Sequence, residues 1–341
     1  MRESYLNQVL KQKINRVSEI EVHLFEYCNL NCSFCGQDHN SKVGFESIVA
    51  KSFDVINFIK TSPLDDHIIN VMGGEIFNDL IPDKLFEDYY KFADGIIDYC
   101  RKNNQAVKIN FVTNLVFKKT ERVLELLGRL NCEFPVNLST SYDFEGRGFA
   151  GVVNSIFAQN LYRFQDFIYT IGFVLTAPSI HNLLTKKDKF LEKIYEDFTL
   201  YFDYYVPEER NSDILMPSDQ QLYDAFIFTA QNYPNIYPIR DWLKNEKNKM
   251  TCFSLNKVTI LPDGKQVTCR YLEYKEGQFK NPVEYKSNEN IIESYIEENK
   301  CLSCSWYERC SFRCFVQADW VKRERMEGCL YAKFYETMLV S

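Results

Sequence analysis

The chain has no apolar run long enough to cross a membrane as a helix, so a helical membrane protein is not expected. Residues 1–16 are polar and charged and lack the hydrophobic core of a signal peptide; a cytoplasmic location is expected. There is no sustained basic stripe. Net charge is −7, and the one local cluster, Lys322-Arg323-Glu324-Arg325, is interrupted by an acid and reads as a solvated helix face. A nucleic-acid backbone is therefore not the expected partner. Internal repeats and low-complexity tracts are also missing, which leaves an ordinary folded chain of 341 residues, enough for two domains and a substantial core.

What the chain has in quantity is cysteine, twelve in all. Reducing conditions disfavour disulfides, so dense cysteines there more often bind metal or do chemistry. Ten of the twelve fall into spaced sets. Cys100 follows Ile96 and Ile97 at helical spacing and reads as a buried core thiol. Cys132 precedes a predicted strand and has no assigned role.

Over the first two hundred residues, strand-like and helix-like patterns alternate. Strands are predicted at 20–25, 67–72, 107–112, 136–140, 167–175 and 199–205, and helices at 46–60, 85–102, 121–130, 152–164 and 183–195. Six strands interleaved with helices imply an α/β fold with a parallel sheet, curled by right-handed crossovers into a barrel or partial barrel. Chemistry in such folds gathers at the C-terminal strand ends. Four features lie there: a cysteine loop, Gly73-Gly74-Glu75, Thr113-Asn114, and residues 139–147. Residues 206–250, with four prolines, read as a bridging segment carrying one helix at 219–231. Beyond them the cysteine density rises.

The first cysteine set is Glu26-Tyr27-Cys28-Asn29-Leu30-Asn31-Cys32-Ser33-Phe34-Cys35. Three thiolates on one short loop can hold three corners of a cubic iron–sulfur cluster and leave the fourth iron open to bind something else. The alternative is structural zinc, with His39 as a fourth ligand, although zinc commonly takes Cys-x2-Cys pairs separated by a longer gap. A lone Gly-Gly-Glu also reads as an ordinary tight turn.

The Cys-x3-Cys-x2-Cys spacing, with Phe34 just before the third cysteine, resembles the radical S-adenosylmethionine enzymes. The resemblance implies a partial (β/α)6 barrel, and a 4Fe-4S cluster on Cys28, Cys32 and Cys35 whose open iron is chelated by S-adenosyl-L-methionine. It implies that Phe34 packs near the adenine, that Gly73 and Gly74 admit close backbone approach, and that Glu75 accepts from the methionyl ammonium. Ile76 stands where many members have proline. Ser141-Tyr142-Asp143 resembles the family's Ser-Leu-Asp, with Ser141 toward the ribose. Arg147 is a candidate partner for the cofactor carboxylate, with a surface arginine as the alternative. Val174 and Leu175 are candidates for the adenine pocket, or plain core. Thr113 and Asn114 complete the expected cofactor-binding set with Asp143.

The second cysteine set runs Cys252, Cys269, Cys301-x2-Cys304-x5-Cys310-x3-Cys314 and Cys329. Between the first two, residues 258–268 read as a hairpin turning at Pro262-Asp263-Gly264. A double zinc ribbon is the bland alternative. The order closely resembles the SPASM extension of the same enzymes. Carried over, Cys301, Cys304, Cys310 and Cys329 hold auxiliary cluster II, and Cys252, Cys269 and Cys314 hold auxiliary cluster I. Val258 stands where some relatives place an eighth cysteine, so an open or unusually ligated iron is expected at auxiliary cluster I. The expected division is 1–19, an N-terminal extension; 20–205, the barrel; 206–250, the bridge; and 251–335, the auxiliary-cluster domain.

The resemblance further implies reductive cleavage of S-adenosylmethionine to a 5′-deoxyadenosyl radical that takes hydrogen from a substrate carbon. A reductant such as flavodoxin or ferredoxin would supply the electron. Oxidative modification or crosslinking of a ribosomally made peptide is the leading expectation; a small-molecule radical dehydrogenase or epimerase acting on a sugar, aminoglycoside or nucleoside is the alternative. Electron transfer alone would need no S-adenosylmethionine pocket. Formylglycine makers of this family place an aspartate where this chain has Arg270, which argues against that reaction. Arg270 becomes a candidate catalytic-site anchor for a carboxylate or phosphate, or a structural salt bridge. About nineteen residues precede the first predicted strand, too few for a leader-binding domain, so a separate leader-peptide recognition protein is an expected partner.

Overall fold

A computed structural model of the chain describes residues 17–37, 48–131, 134–143, 147, 151–185, 188–207, 211–244, 256–272 and 288–340. In chain order the elements are β1 (Ser18–His23), α1 (Ile48–Thr61), β2 (Asp66–Met72), α2 (Lys84–Lys102), β3 (Ala106–Val112), α3 (Thr120–Leu130), β4 (Val136–Ser141), α4 (Val152–Arg163) and β5 (Ile168–Leu175). Then come α5 (Ala177–Thr185), α6 (Lys189–Asp197), β6 (Leu200–Tyr204), α7 (Ser212–Leu215), α8 (Asp219–Asn232), α9 (Ile239–Leu243), β7 (Lys257–Ile260), β8 (Gln266–Val267), α10 (Asn288–Glu298), α11 (Phe315–Asp319) and α12 (Leu330–Leu339). The described residues form two compact units. One takes residues from 16–171 and 255–270; the other takes residues from 172–254 and 271–341.

In the first unit β1 to β4 lie side by side and parallel, in register Ile20↔Ile69↔Ile109↔Val136. β5 follows β4 in the strand order. Alternation decides the two faces. Ile20, Val22, Ile69, Val71, Ile109, Phe111 and Leu138 are buried on one face. The covering helices supply the matching stripes: Leu85, Tyr89, Phe92, Ile96 and Cys100 on α2, and Val123, Leu127 and Leu130 on α3. Cys100 is thus the core thiol that its spacing indicates, and burial pushes its thiol up to about 11.

The opposite face is polar. One registered row runs Thr259, Glu21, Asn70, Asn110, Asn137. Its side chains bond to one another and to neighbours. Thr259 Oγ1 donates to Glu21 Oε2 at 3.0 Å, Lys257 Nζ pairs with Glu21 Oε1 at 2.7 Å, Asn110 Nδ2 donates to Asn70 Oδ1 at 3.0 Å, and Ser139 Oγ donates to Asn110 Oδ1 at 2.9 Å. A sheet that spends one face on such groups is built to meet polar matter there.

The expected hairpin is present, but it does more than join two cysteines. β7 pairs parallel with β1, and β8 turns back antiparallel on β7. Gly264 at φ +84° makes the turn, as only glycine does without strain. Six expected strands therefore become eight, because the hairpin after residue 255 extends the sheet beyond β1.

β6 follows β5 in the strand order and ends the sheet. The single helix expected at 183–195 is two helices. α6 starts afresh at its own cap, where Asp188 accepts from the N–H groups of Phe190 and Leu191. The expected helix at 219–231 is α8, opened by a capping box of Ser218 and Gln221. Short α7 and α9 flank it. Phe226, Trp242, Tyr331, Phe334 and Tyr335 form an aromatic core, and Trp306 stacks on Tyr335 with centroids 5.2 Å apart. That core seats the cysteine-bearing segments against α8. The basic cluster is not a helix face. Lys322, Glu324 and Arg325 are exposed, Lys322 pairing with Asp213, but the Arg323 side chain is 7% exposed, paired with Asp219. Among the described residues, no helix is long and apolar enough to cross a membrane.

Candidate active site

The end of β2 and the segment leaving β1 interlock through glycine. Gly74 N–H donates to the Phe25 carbonyl at 2.8 Å, and Glu75 N–H to the Tyr27 carbonyl at 2.9 Å. A Cβ on Gly74 would lie 2.0 Å from the Tyr27 oxygen and 2.3 Å from the Glu26 oxygen, so no side chain fits. The cysteine loop starts at the next residue, Cys28. Below it, Phe77 packs on Phe86, Tyr89, Phe111 and Phe117, and Tyr89 Oη donates to the Ile76 carbonyl at 2.8 Å. The turn therefore rests on rigid core.

Glu75 is fully buried and knots two strand ends together. Its Oε1 accepts from Thr113 Oγ1 at 2.7 Å and Phe77 N–H at 2.9 Å, and its Oε2 from Asn114 N–H at 2.5 Å. Burial pushes its carboxyl up to about 7, against those donors and the charge of Arg147. Oε2, with one donor, keeps capacity for a further one.

Asn114 and two residues that sequence reasoning missed, Asn29 and Gln37, hold the loop itself. Asn114 Nδ2 donates to Asn29 Oδ1 at 2.8 Å and lies 3.8 Å from Cys28 Sγ; Asn29 Nδ2 donates to the Val116 carbonyl at 2.5 Å. Gln37 Nε2 donates to the Gly73 carbonyl at 2.9 Å. Only the third dimension places these amides, and no spacing rule marks them.

Cys28, Cys32 and Cys35 are half-buried, and none forms a disulfide. Burial pushes Cys28 up to about 12, with Glu75, Cys32 and Cys35 adding to the rise. Burial also raises Cys32; Arg147 opposes this, while Cys35 and Asp143 add to it. Arg147 donates to Ser141 Oγ, and its N–H to the Asp143 carbonyl at 3.2 Å. One arginine thus acts on Cys32, Glu75 and Ser141 together. The expected residues Cys28, Cys32, Cys35, Gly73, Gly74, Glu75, Thr113, Asn114, Ser141, Asp143 and Arg147 form one neighbourhood at the C-terminal ends of β1 to β4. Phe34 is half-buried in the loop. Val174 and Leu175 are buried in the second unit.

On β1's polar face, His23 is a third residue that sequence reasoning missed. It is 3% exposed, and its Nε2 has no hydrogen-bond partner. Burial lowers it to about 3, aided by Arg270, Lys51 and Lys257 and opposed by Glu21. The alternation Glu19, Glu21, His23 was the available signal. Arg270 is half-buried, next to Cys269 in the same unit.

In the second unit Cys301 and Cys310 are buried, while Cys304, Cys314 and Cys329 are half-buried. Cys314 stands at the N-cap of α11 and Cys329 at the N-cap of α12. Cys301, Cys310 and Cys329 all act on the Tyr295 hydroxyl, which burial raises. These are three of the four thiols expected at auxiliary cluster II. Cys252 and Cys132, with His39, lie outside the described residues. Val258 is a buried strand residue paired with Ile20. Among the described residues, no three His, Cys, Asp or Glu side chains converge as ligands of a single metal ion would. A cubic cluster asks for something else, since each thiolate sits on its own iron. The thiol-only donor sets fit it.

No family model and no curated protein sequence matches the chain. Solved structures do. The chain is similar to anSMEcpe with bound AdoMet and Cp18Cys peptide, with TM-score 0.61 and 15% identity over 95% of this chain and 96% of that one. It is similar to Streptococcus suis SuiB bound to S-adenosylmethionine, with TM-score 0.50 and 17% identity over 92% of this chain and 77% of that one. It also matches SuiB bound to the precursor peptide SuiA, with TM-score 0.50 and 16% identity over 92% and 75%. The chain shares their fold.

Proposed function

We propose that this chain is a radical S-adenosylmethionine enzyme with SPASM-type auxiliary clusters that oxidatively modifies or crosslinks a ribosomally made peptide. The observation that carries the reading is the convergence of the Cys28–Cys32–Cys35 loop with Glu75, Asn114, Ser141 and Arg147 at one end of a parallel sheet. Support comes from the shared fold, in which anSMEcpe and SuiB bind AdoMet or S-adenosylmethionine and a peptide.

Cys28, Cys32 and Cys35 would hold one 4Fe-4S cluster. Cys301, Cys304, Cys310 and Cys329 would hold a second, and Cys252, Cys269 and Cys314 a third with an open or unusual ligand. When bound, the first cluster and S-adenosylmethionine supply one-electron cleavage of a sulfonium bond and a 5′-deoxyadenosyl radical. The chain's own residues do the rest. Gly74 lets the loop seat against β2, and Asn114, Asn29 and Gln37 hold it there. Arg147 meets a carboxylate with a guanidinium fork, and Glu75 accepts from an ammonium. Phe34 would cover the adenine. The polar row Glu21, Asn70 and Asn110 orients substrate, and Arg270 anchors an acidic group on it. Flavodoxin or ferredoxin is the proposed reductant, and a separate protein the proposed leader-peptide reader. The segments 20–205, 206–250 and 251–335 are the proposed barrel, bridge and auxiliary-cluster regions.

The test is anaerobic incubation of reconstituted protein with S-adenosylmethionine, dithionite and short peptides encoded beside it. The reading expects a peptide product lighter by two hydrogens. S-adenosylmethionine cleavage with no peptide changed, but a sugar or nucleoside oxidised, would overturn the peptide assignment.

A further inference from the structure

Left-handed backbone is costly for any residue with a Cβ, and most of all for a bulky one. Among the described residues, five other than glycine adopt it: Asn104, Leu115, Asn211, Lys300 and Phe312. Asparagine tolerates the conformation. The other three all lie beside the proposed cluster cysteines. Leu115 follows Asn114, whose amide lies 3.8 Å from Cys28 Sγ; Lys300 precedes Cys301; and Phe312 stands between Cys310 and Cys314. Strain of this kind persists only where the surroundings enforce it, and it gathers at functional sites.

At Phe312 the contacts show what the strained turn holds. With φ at +59°, the Phe312 N–H donates to Cys310 Sγ at 3.4 Å. Both residues are buried. The turn is clamped along its length. Cys310 N–H donates to the Trp306 carbonyl at 2.9 Å, Tyr335 Oη to the Arg309 carbonyl at 3.0 Å, and Trp242 Nε1 to Ser311 Oγ at 3.1 Å. The Phe312 ring packs edge-on against Tyr295, with centroids 5.8 Å apart, and tilted against Tyr307 and Phe315 at 6.0 and 5.9 Å. Cys28 receives the same kind of bond, from Leu30 N–H at 3.4 Å. One cysteine of each of two proposed clusters thus takes an N–H from the residue two further on, and at Cys310 a buried ring locks it in place.

An N–H dipole aimed at a cluster sulfur favours the more negative state, and hydrogen bonds to sulfur are among the causes that set a cluster's potential. We propose that the Phe312 turn raises the reduction potential of the 4Fe-4S cluster on Cys301, Cys304, Cys310 and Cys329 by fixing its N–H on Cys310 Sγ. The inference rests on the proposed function in one respect, that a cluster occupies those cysteines. The step is one electron, supplied by a low-potential donor such as dithionite, added to the cluster. No bond breaks and no proton moves. Phe312 is a positioning residue, since it acts through the cluster and not on substrate.

The test uses the full chain carrying Cys28→Ala, Cys32→Ala and Cys35→Ala, reconstituted anaerobically so that only the C-terminal clusters remain. A dithionite titration followed by electron paramagnetic resonance tracks the signal abolished by Cys304→Ala. Phe312→Ala and Phe312→Gly both remove the ring, but only glycine accepts positive φ freely. Phe312→Ala should lower the ratio of reduced to oxidised cluster at fixed potential about tenfold, a shift of about 59 mV for a one-electron couple. Phe312→Gly should stay within about twofold of the parent. A ring that merely excludes water predicts equal shifts, so equal shifts, or none, with iron retained overturn the inference. If Phe312→Ala does not hold its iron, the parent decides. Labelled with [15N]phenylalanine, its reduced cluster should show a 15N coupling that Phe312→Leu removes, and a parent cluster without that coupling overturns the inference while leaving the cluster assignment standing. A parent with no iron at these cysteines overturns both.

Discussion

Replacing Gly74 by alanine should detach the N-terminal cysteine loop while leaving most of the chain folded. The added Cβ would sit 2.0 Å from the Tyr27 oxygen and 2.3 Å from the Glu26 oxygen. Both are backbone atoms, so no side-chain rotation relieves the overlap. The end of β2 must part from the segment leading to Cys28, which breaks the Gly74-to-Phe25 and Glu75-to-Tyr27 hydrogen bonds. Overpacking costs about 1–3 kcal/mol, and each lost bond about 0.5–1.5 kcal/mol. The local cost is therefore about 2–6 kcal/mol, against a usual total stability of about 5–15 kcal/mol. A displacement on the ångström scale is worth about a hundredfold in rate. Anaerobically reconstituted Gly74→Ala should lose the iron of one cluster and about a hundredfold in S-adenosylmethionine cleavage. Gly128, in α3, is the control: a Cβ there meets nothing within 4 Å, and Gly128→Ala should gain about 0.5–1 kcal/mol with iron and rate unchanged. A Gly74→Ala protein with full iron and full rate would refute the close-approach reasoning.

Asn114→Ala removes the amide that braces Asn29 and touches Cys28; iron chelation kinetics should show the N-terminal cluster lost several-fold faster, with the C-terminal clusters unaffected. Glu75→Ala strands three buried donors, Thr113 Oγ1, Phe77 N–H and Asn114 N–H; at about 1–3 kcal/mol for an unsatisfied buried group, urea melts of the apoprotein should show at least that loss, and Glu75→Gln less. His23 is lowered from 6.5 to about 3 by burial and by Arg270, so the folded state holds it neutral. Its contribution is present above about pH 6.5 and is lost as pH falls toward 3. His23→Gln should flatten the apoprotein's stability between pH 6.5 and 4, and an unchanged acid slope would contradict this placement.

The parallel strands were legible because their cores alternate cleanly and their ends carry turn residues. Glu75, Asn114 and Arg147 were legible as strand-end polar residues, though Glu75's role as a knot between β2 and β3 was not. Asn29 and Gln37 were hidden, since an amide one or two residues from a cysteine carries no signal until the chain folds back on it; His23 was marked only by its alternation with Glu19 and Glu21. The helix at 183–195 was misread because its apolar spacing runs through the break that Asp188 caps. Arg323 was misread because it sits among charges in sequence; the α8 carboxylate that buries it lies over a hundred residues away. The hairpin at β7 and β8 was legible as a hairpin, but its edge partner β1 lies at the far end of the chain, beyond any local pattern.

The central claim is that Cys28, Cys32 and Cys35 hold a cluster with an open iron that takes S-adenosylmethionine. The most direct measurement is 5′-deoxyadenosine release by anaerobically reconstituted, dithionite-reduced protein, quantified by mass spectrometry beside a Cys28→Ala variant. The account predicts release by the parent chain and none by the variant. Colourless, zinc-bearing protein, or iron-loaded protein that releases no more than Cys28→Ala, would contradict it.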